Sequence, residues 1–104
     1  MAFWSNRFMN DRRESFLNSL YKFQYKSNET WHDAVINSKR IEGLAVVITI
    51  SLPRTGGDKE TITAIRIIDS KGNECANQPI NVVRLASQGV LIKFEFPIYE
   101  KEGV

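Results

Sequence analysis

The chain has 104 residues, 42% apolar and 25% charged, values that exclude a wholly disordered polymer and fit one domain with its own core. Fourteen basic against twelve acidic side chains leave a net charge of +2, too little by itself to demand nucleic acid or an anionic membrane. One cysteine, Cys75, excludes an internal disulfide, and with no signal-peptide pattern at the start the expected setting is reducing and cytoplasmic.

The opening residues, MAFWSNRFMN, form an aromatic arm over 1–9. From Asn10 to Tyr21, Phe16, Leu17, Leu20 and Tyr21 fall at helical spacing, and Asn10 or Asp11 with Glu14 resembles a capping box, so a helix is predicted over 10–21. Continued back to Phe3 at the same pitch, that helix turns Trp4 and Phe8 roughly a quarter turn or more away from the stripe of Met9, Phe16 and Leu20. Either the chain bends near Asn10 and tucks Phe3, Trp4 and Phe8 into its own core, or these three aromatics dock on a partner or a second copy.

The period then changes to two. Tyr21, Phe23 and Tyr25 alternate with Lys22, Gln24 and Lys26, which predicts a strand with the aromatics inward. Residues 30–41 read either as a helix capped by Thr30 and Asp33 or as a strand through Ala34, Val35 and Ile36, and the plainly β pattern from Leu44 onward favours the strand. LAVVITISL places Leu44, Val46, Ile48, Ile50 and Leu52 on one face. At about half the roughly 18 apolar residues that a membrane span needs, it gives no reason to expect a membrane partner.

PRTGGD is a loop, TITAIRII a strand, and DSKGN a turn in which Gly72 takes the left-handed position. A short strand near 74–78 comes next, ended by Pro79, and then INVVRL and VLIKFEFPIY, joined by ASQG. Pro97 either marks the last strand as a sheet edge or breaks its pairing near residue 97, and residues 100–104 read as a solvated tail. On strict alternation Arg66 shares an outer face with Ile62, Ala64 and Ile68, and either Arg66 or Arg84 pairs with Glu95 across the ladder. The sum is a mainly β domain (α+β by strict count) over 1–104: an antiparallel β-sandwich or barrel of about 5–7 strands across 22–99, with one N-terminal helix packed on it. The run ITAIRIIDSKGN with its later alternating strands resembles the immunoglobulin-like modules of bacterial and phage surface or structural proteins, without their Cys-Trp-Cys framework.

Chemistry-bearing motifs are sparse. His32 and Asp33 are neighbours, and in a strand neighbours point to opposite faces, so they make no His-Asp pair. One His and one Cys give no metal-ligand set. RTGGDK lacks the spacing of a phosphate loop and has no helix behind it. Cys75 lies beside Glu74, which works against a reactive thiolate. No catalytic, cofactor or metal residue is therefore assigned, and no small-molecule substrate. The expected function is a non-enzymatic protein-protein interaction or assembly module, self-association included, using Phe3, Trp4 and Phe8 or an exposed sheet edge. The alternative is a single-strand nucleic-acid binder of OB type using Arg12, Arg13, Lys22 and Lys26.

Overall fold

A computed structural model describes residues 3–53, 59–85 and 88–100. One helix, α1 (Asn6–Ser19), precedes seven strands: β1 (Leu20–Ser27), β2 (Thr30–Asp33), β3 (Val35–Glu42), β4 (Ala45–Ser51), β5 (Lys59–Asp69), β6 (Glu74–Leu85) and β7 (Leu91–Pro97). They form two antiparallel sheets, β2-β1-β5-β6 and β3-β4-β7, stacked as a sandwich and not closed into a barrel. The core between them is built from Leu20, Phe23, Tyr25, Val46, Ile48, Ile50, Leu52, Ile62, Ile65 and Ile67.

The helix starts at Asn6, not Asn10, because Ser5 supplies the cap: its Oγ accepts from the Phe8 N–H at 3.1 Å. It runs through Asn10 without a break, and Phe3, Trp4 and Phe8 are not folded into the core. Its last residue gives way at once to β1. A register shift between Leu20 and Lys22 puts Leu20, Phe23, Tyr25 and Ser27 inward and leaves Tyr21 exposed, against the alternation expected for it.

Asn28 and Glu29, both with positive φ, turn the chain tightly into β2. Residues 30–41 are strand, as favoured, but they serve two sheets. The chain leaves β2 after Asp33 and enters β3 at Val35, with Ala34 N–H donating to the Phe23 carbonyl at 2.8 Å. This one-residue corner closes one side of the sandwich. In β4, Val46, Ile48 and Ile50 are buried as expected, as is Leu52 just after it, whereas Leu44 precedes the strand and is exposed; Val47, expected on the other face, is buried too.

The PRTGGD loop and the ASQG turn lie largely outside the described residues. At the β5–β6 turn the Asp69 carboxylate accepts from the N–H groups of Lys71 and Asn73, and Gly72 has φ +85°. Pro79 does not end a strand: β6 runs through it for 12 residues, because β6 is an outer strand where a missing N–H is tolerated. Pro97 closes β7, which is indeed the edge of its sheet.

A bulge between Ile62 and Ala64 reverses the alternation of β5. Ile62 is therefore buried, while Arg66 points out with Ile68. Arg66 and Glu95 lie in different sheets, so the expected ladder pair between them does not exist. Arg66 Nε instead donates to Gln24 Oε1 at 2.8 Å, and its guanidinium lies 4.2 Å from the Trp31 ring centre. Arg84, expected on the same wet face, points inward and is buried beside Glu60.

Candidate functional site

Three places in the fold concentrate groups of interest. The first is the end of the sandwich where the helix begins. Phe3, Trp4 and Phe8 form one exposed cluster, the Trp4 and Phe8 rings stacked at 4.9 Å and Phe3 edge-on to Trp4 at 5.0 Å. Their exposures are 82%, 47% and 37%, and Leu44 and Tyr99 beside them are exposed too. The Arg12 guanidinium sits 5.2 Å over the Phe8 ring. A depression of about 200 Å³ is framed by Trp4, Met9, Arg13, Leu44, Tyr99 and Glu100.

Backbone contacts hold this cluster in place. Both carboxylate oxygens of Glu100 accept from the Phe3 N–H, at 2.9 and 2.6 Å, and Oε1 also accepts from the Trp4 N–H at 3.2 Å. Glu100, expected in a solvated tail, is half-buried and ties the arm to the far end of the chain. A negative charge at the start of a helix is also favourable to the helix itself.

The second place is the side of the sandwich opposite the Ala34 corner. There β6 and β7 are the edge strands of the two sheets, as β2 and β3 are beside the corner, and among the described residues no ladder joins them. Between them lies a groove of about 400 Å³ lined by Ile65, Ile67, Ile80, Val82, Ile92, Phe94 and Phe96, among others. Phe94 touches Phe23 at its inner end (5.3 Å) and stacks on Phe96 (5.8 Å), which in turn meets Phe16 of the helix (5.6 Å).

The third is a buried polar network at the end remote from the helix. Arg84 and Glu60 are each 1% exposed, and Arg84 Nε lies 2.5 Å from Glu60 Oε1. The other Arg84 nitrogens donate to the carbonyls of Leu52 and Pro53. Glu60 Oε2 accepts from Ser27 Oγ at 2.6 Å, and the Tyr25 hydroxyl donates to the Pro53 carbonyl. Burial, and then the Glu60 charge, raise the Tyr25 phenol above its ordinary value, so it stays a donor. Every group here is engaged in joining β1, β4, β5 and β6, and the network lies within the protein rather than in a cleft.

The cations proposed for nucleic acid are dispersed. Arg13 is buried, its Nε donating to the Ile98 carbonyl at 3.0 Å, and Arg12 belongs to the aromatic cluster. Lys22 and Lys26 do share the outer face of the four-stranded sheet with Arg66 and Trp31, which sequence reasoning did not connect to them. Lys22 is 3.5 Å from Asp33 and Arg66 3.5 Å from Glu74, so acidic partners accompany that face. His32 sits opposite Tyr25 in the ladder, its ring 5.4 Å away, while Asp33 accepts from Gln24 at 2.7 Å. Burial, and after it the charges of Asp69 and Glu74, push the Cys75 thiol up. Among the described residues, no group of three or more His, Cys, Asp or Glu side chains converges, and no helix is long and apolar enough to cross a membrane.

No family model, no curated protein and no solved structure matches the chain. The strand order β2-β1-β5-β6 over β3-β4-β7 also departs from the immunoglobulin arrangement, in which the strands run A-B-E-D over C-F-G.

Proposed function

We propose that this protein is a non-enzymatic interaction and assembly module that self-associates, with Phe3, Trp4 and Phe8 as its anchor, in the manner of a bacterial or phage structural or accessory protein. The observation that carries this reading is the aromatic cluster itself. Three large rings stand in solvent at one end of the molecule while the Ser5 cap and the Glu100 carboxylate fix the backbone beneath them. Rings held ready in this way lose little conformational entropy on docking, and buried aromatics dominate the energetics of interfaces. A lone, weakly acidic thiol suits work in a reducing compartment such as the cytoplasm.

The weaker alternative is a single-strand nucleic-acid surface formed by Lys22, Lys26, Arg66 and Trp31. It starts with two of its three cations already beside carboxylates, Lys22 with Asp33 and Arg66 with Glu74, and its two separate sheets are not the five-stranded Greek-key barrel of the OB type.

Sedimentation velocity over a concentration series tests the reading. The full chain should sediment as a species heavier than 11.9 kDa, and replacing Phe3, Trp4 and Phe8 by serine should weaken that association at least about tenfold, the loss of roughly 1.4 kcal/mol of anchor energy. Unchanged association in the triple variant would remove the cluster from the interface.

A further inference from the structure

Of the four edge strands, β2 and β3 flank the Ala34 corner, and the two that bound the open side, β6 and β7, differ in kind. β6 carries Pro79 within its length, which removes an N–H and blunts the edge. β7 is regular from Leu91 to Pro97. Its ladder to β4 has no register shift, and the bonds Leu52 N–H to Val90 carbonyl and Ile98 N–H to Leu44 carbonyl mark the even-numbered residues as those bonded to β4. In an antiparallel ladder the alternate residues then direct their N–H and C=O groups the other way. Leu91, Lys93 and Glu95 thus present theirs to the open side, and Pro97 adds a carbonyl. The N–H that Pro97 lacks would have pointed outward, so its absence costs the sheet nothing.

The side chains on this edge are self-complementary. Lys93 and Glu95 stand on the outer face, 53% and 60% exposed and paired with each other at 3.3 Å within the strand, an exposed pair worth little that can be exchanged for the same pair between chains, and Phe94 lies midway between them on the groove side. Two copies of β7 run antiparallel about a two-fold axis through Phe94 place Lys93 of each copy opposite Glu95 of the other. These are also the residues whose outward N–H and C=O groups must meet for the ladder to form. Beneath, Phe94 meets its own copy and Ile92 faces Phe96, so the apolar wall of the groove closes on an identical wall. A register shifted by one residue would set carboxylate or ammonium against an apolar side chain and misalign the backbone donors.

We infer that β7 is a homodimerisation edge: it pairs antiparallel with β7 of a second copy about Phe94, exchanges Lys93–Glu95 pairs between chains, and joins the two three-stranded sheets into one. This rests on the assembly reading above and adds to the aromatic anchor a second surface, with its register.

The two-fold axis makes each substitution count twice. Glu95→Lys sets lysine against lysine at both crossings, replacing two attractive cross-strand pairs by two repulsive ones. Sedimentation velocity on the full chain should show dimer association weakened at least about tenfold in this variant. The double exchange Lys93→Glu with Glu95→Lys restores a self-complementary edge and should return the wild-type constant. Thermal melts of each variant confirm that the fold persists. If both variants associate as the wild type does, β7 is not the edge; should the Phe3, Trp4 and Phe8 serine variant still dissociate that species, the assembly reading survives alone. Association lost in Glu95→Lys but not recovered in the double exchange also overturns the register. A wild-type chain that stays monomeric at every concentration, whether the groove takes an apolar dye or the strand of an unrelated protein, overturns the dimer and the assembly reading together.

Discussion

Replacing Arg84 by methionine tests how the sandwich tolerates charge in its interior. The guanidinium and the Glu60 carboxylate are both 1% exposed, so removing one leaves the other's charge in a medium of low dielectric. The cost of breaking such a pair is about 3–5 kcal/mol, and here the Leu52 and Pro53 carbonyls lose a donor as well. Against a domain stability of roughly 5–15 kcal/mol that is a large fraction, equivalent to a fall in Tm on the order of 20 °C for a chain of this size. Arg40→Met serves as the contrast: the Arg40–Glu42 pair is 46% and 53% exposed, and its loss should stay below about 1 kcal/mol. Urea unfolding monitored by tryptophan fluorescence measures both. Removing the two charges together, as Glu60→Leu with Arg84→Met, should cost at least about 2 kcal/mol less than the sum of the single changes, since the variant strands no ion. Additive effects, or an Arg84→Met cost near that of Arg40→Met, would refute the claim that the pair acts as one buried unit.

The turn and the outer face each give one further expected outcome. Gly72 has φ +85° with open space where a Cβ would go, so Gly72→Ala should destabilise by about 1 kcal/mol through backbone strain alone, and Gly72→Asn by less; a neutral alanine in urea unfolding would contradict this. The Asp33 carboxyl is held below its ordinary value, mainly by the Gln24 amide and secondarily by Lys22. Because its pKa is lowered in the folded state, its contribution is present above the unfolded value near 3.8 and is lost as pH falls through the folded one. An NMR titration of Asp33 should therefore move upward in Gln24→Ala, and an unmoved midpoint would assign the shift elsewhere.

The strands around LAVVITISL and the Gly72 turn are legible in the sequence because each arises from local chemistry: alternation with β-branched residues, and a glycine where φ must be positive. The edge position of β7 is legible from Pro97 for the same reason, since a proline constrains its own ladder. Shifts of phase are not legible. The bulge after Ile62 and the slip between Leu20 and Lys22 each move one residue and reverse the faces beyond it, and nothing in the local sequence marks either. Arg84 reads as a wet-face residue because a lone arginine among Ile80, Val82 and Leu85 has no buried reading until Glu60 is placed opposite it, and only the register of β5 on β6 does that. The helix shows in its apolar spacing but its start does not, because Asn10 and Asp11 offer a plausible cap while Ser5 is the one used. The aromatic cluster betrays itself by its misfit to the helical stripe. The groove leaves no such trace, since it arises where the two sheets fail to join, and no residue carries a signal for that.

The single residue between β2 and β3 has a mechanical meaning. With Ala34 spanning the two sheets and anchored to the Phe23 carbonyl, the sandwich is bound along that side as pages are by a spine. The helix is wedged across one end and the Arg84–Glu60 network stitches the other. Among the described residues no ladder crosses the opposite side, between β6 and β7. The two long sides of the molecule thus differ in construction: one is closed by the chain's own path from sheet to sheet, the other by side chains that line a groove.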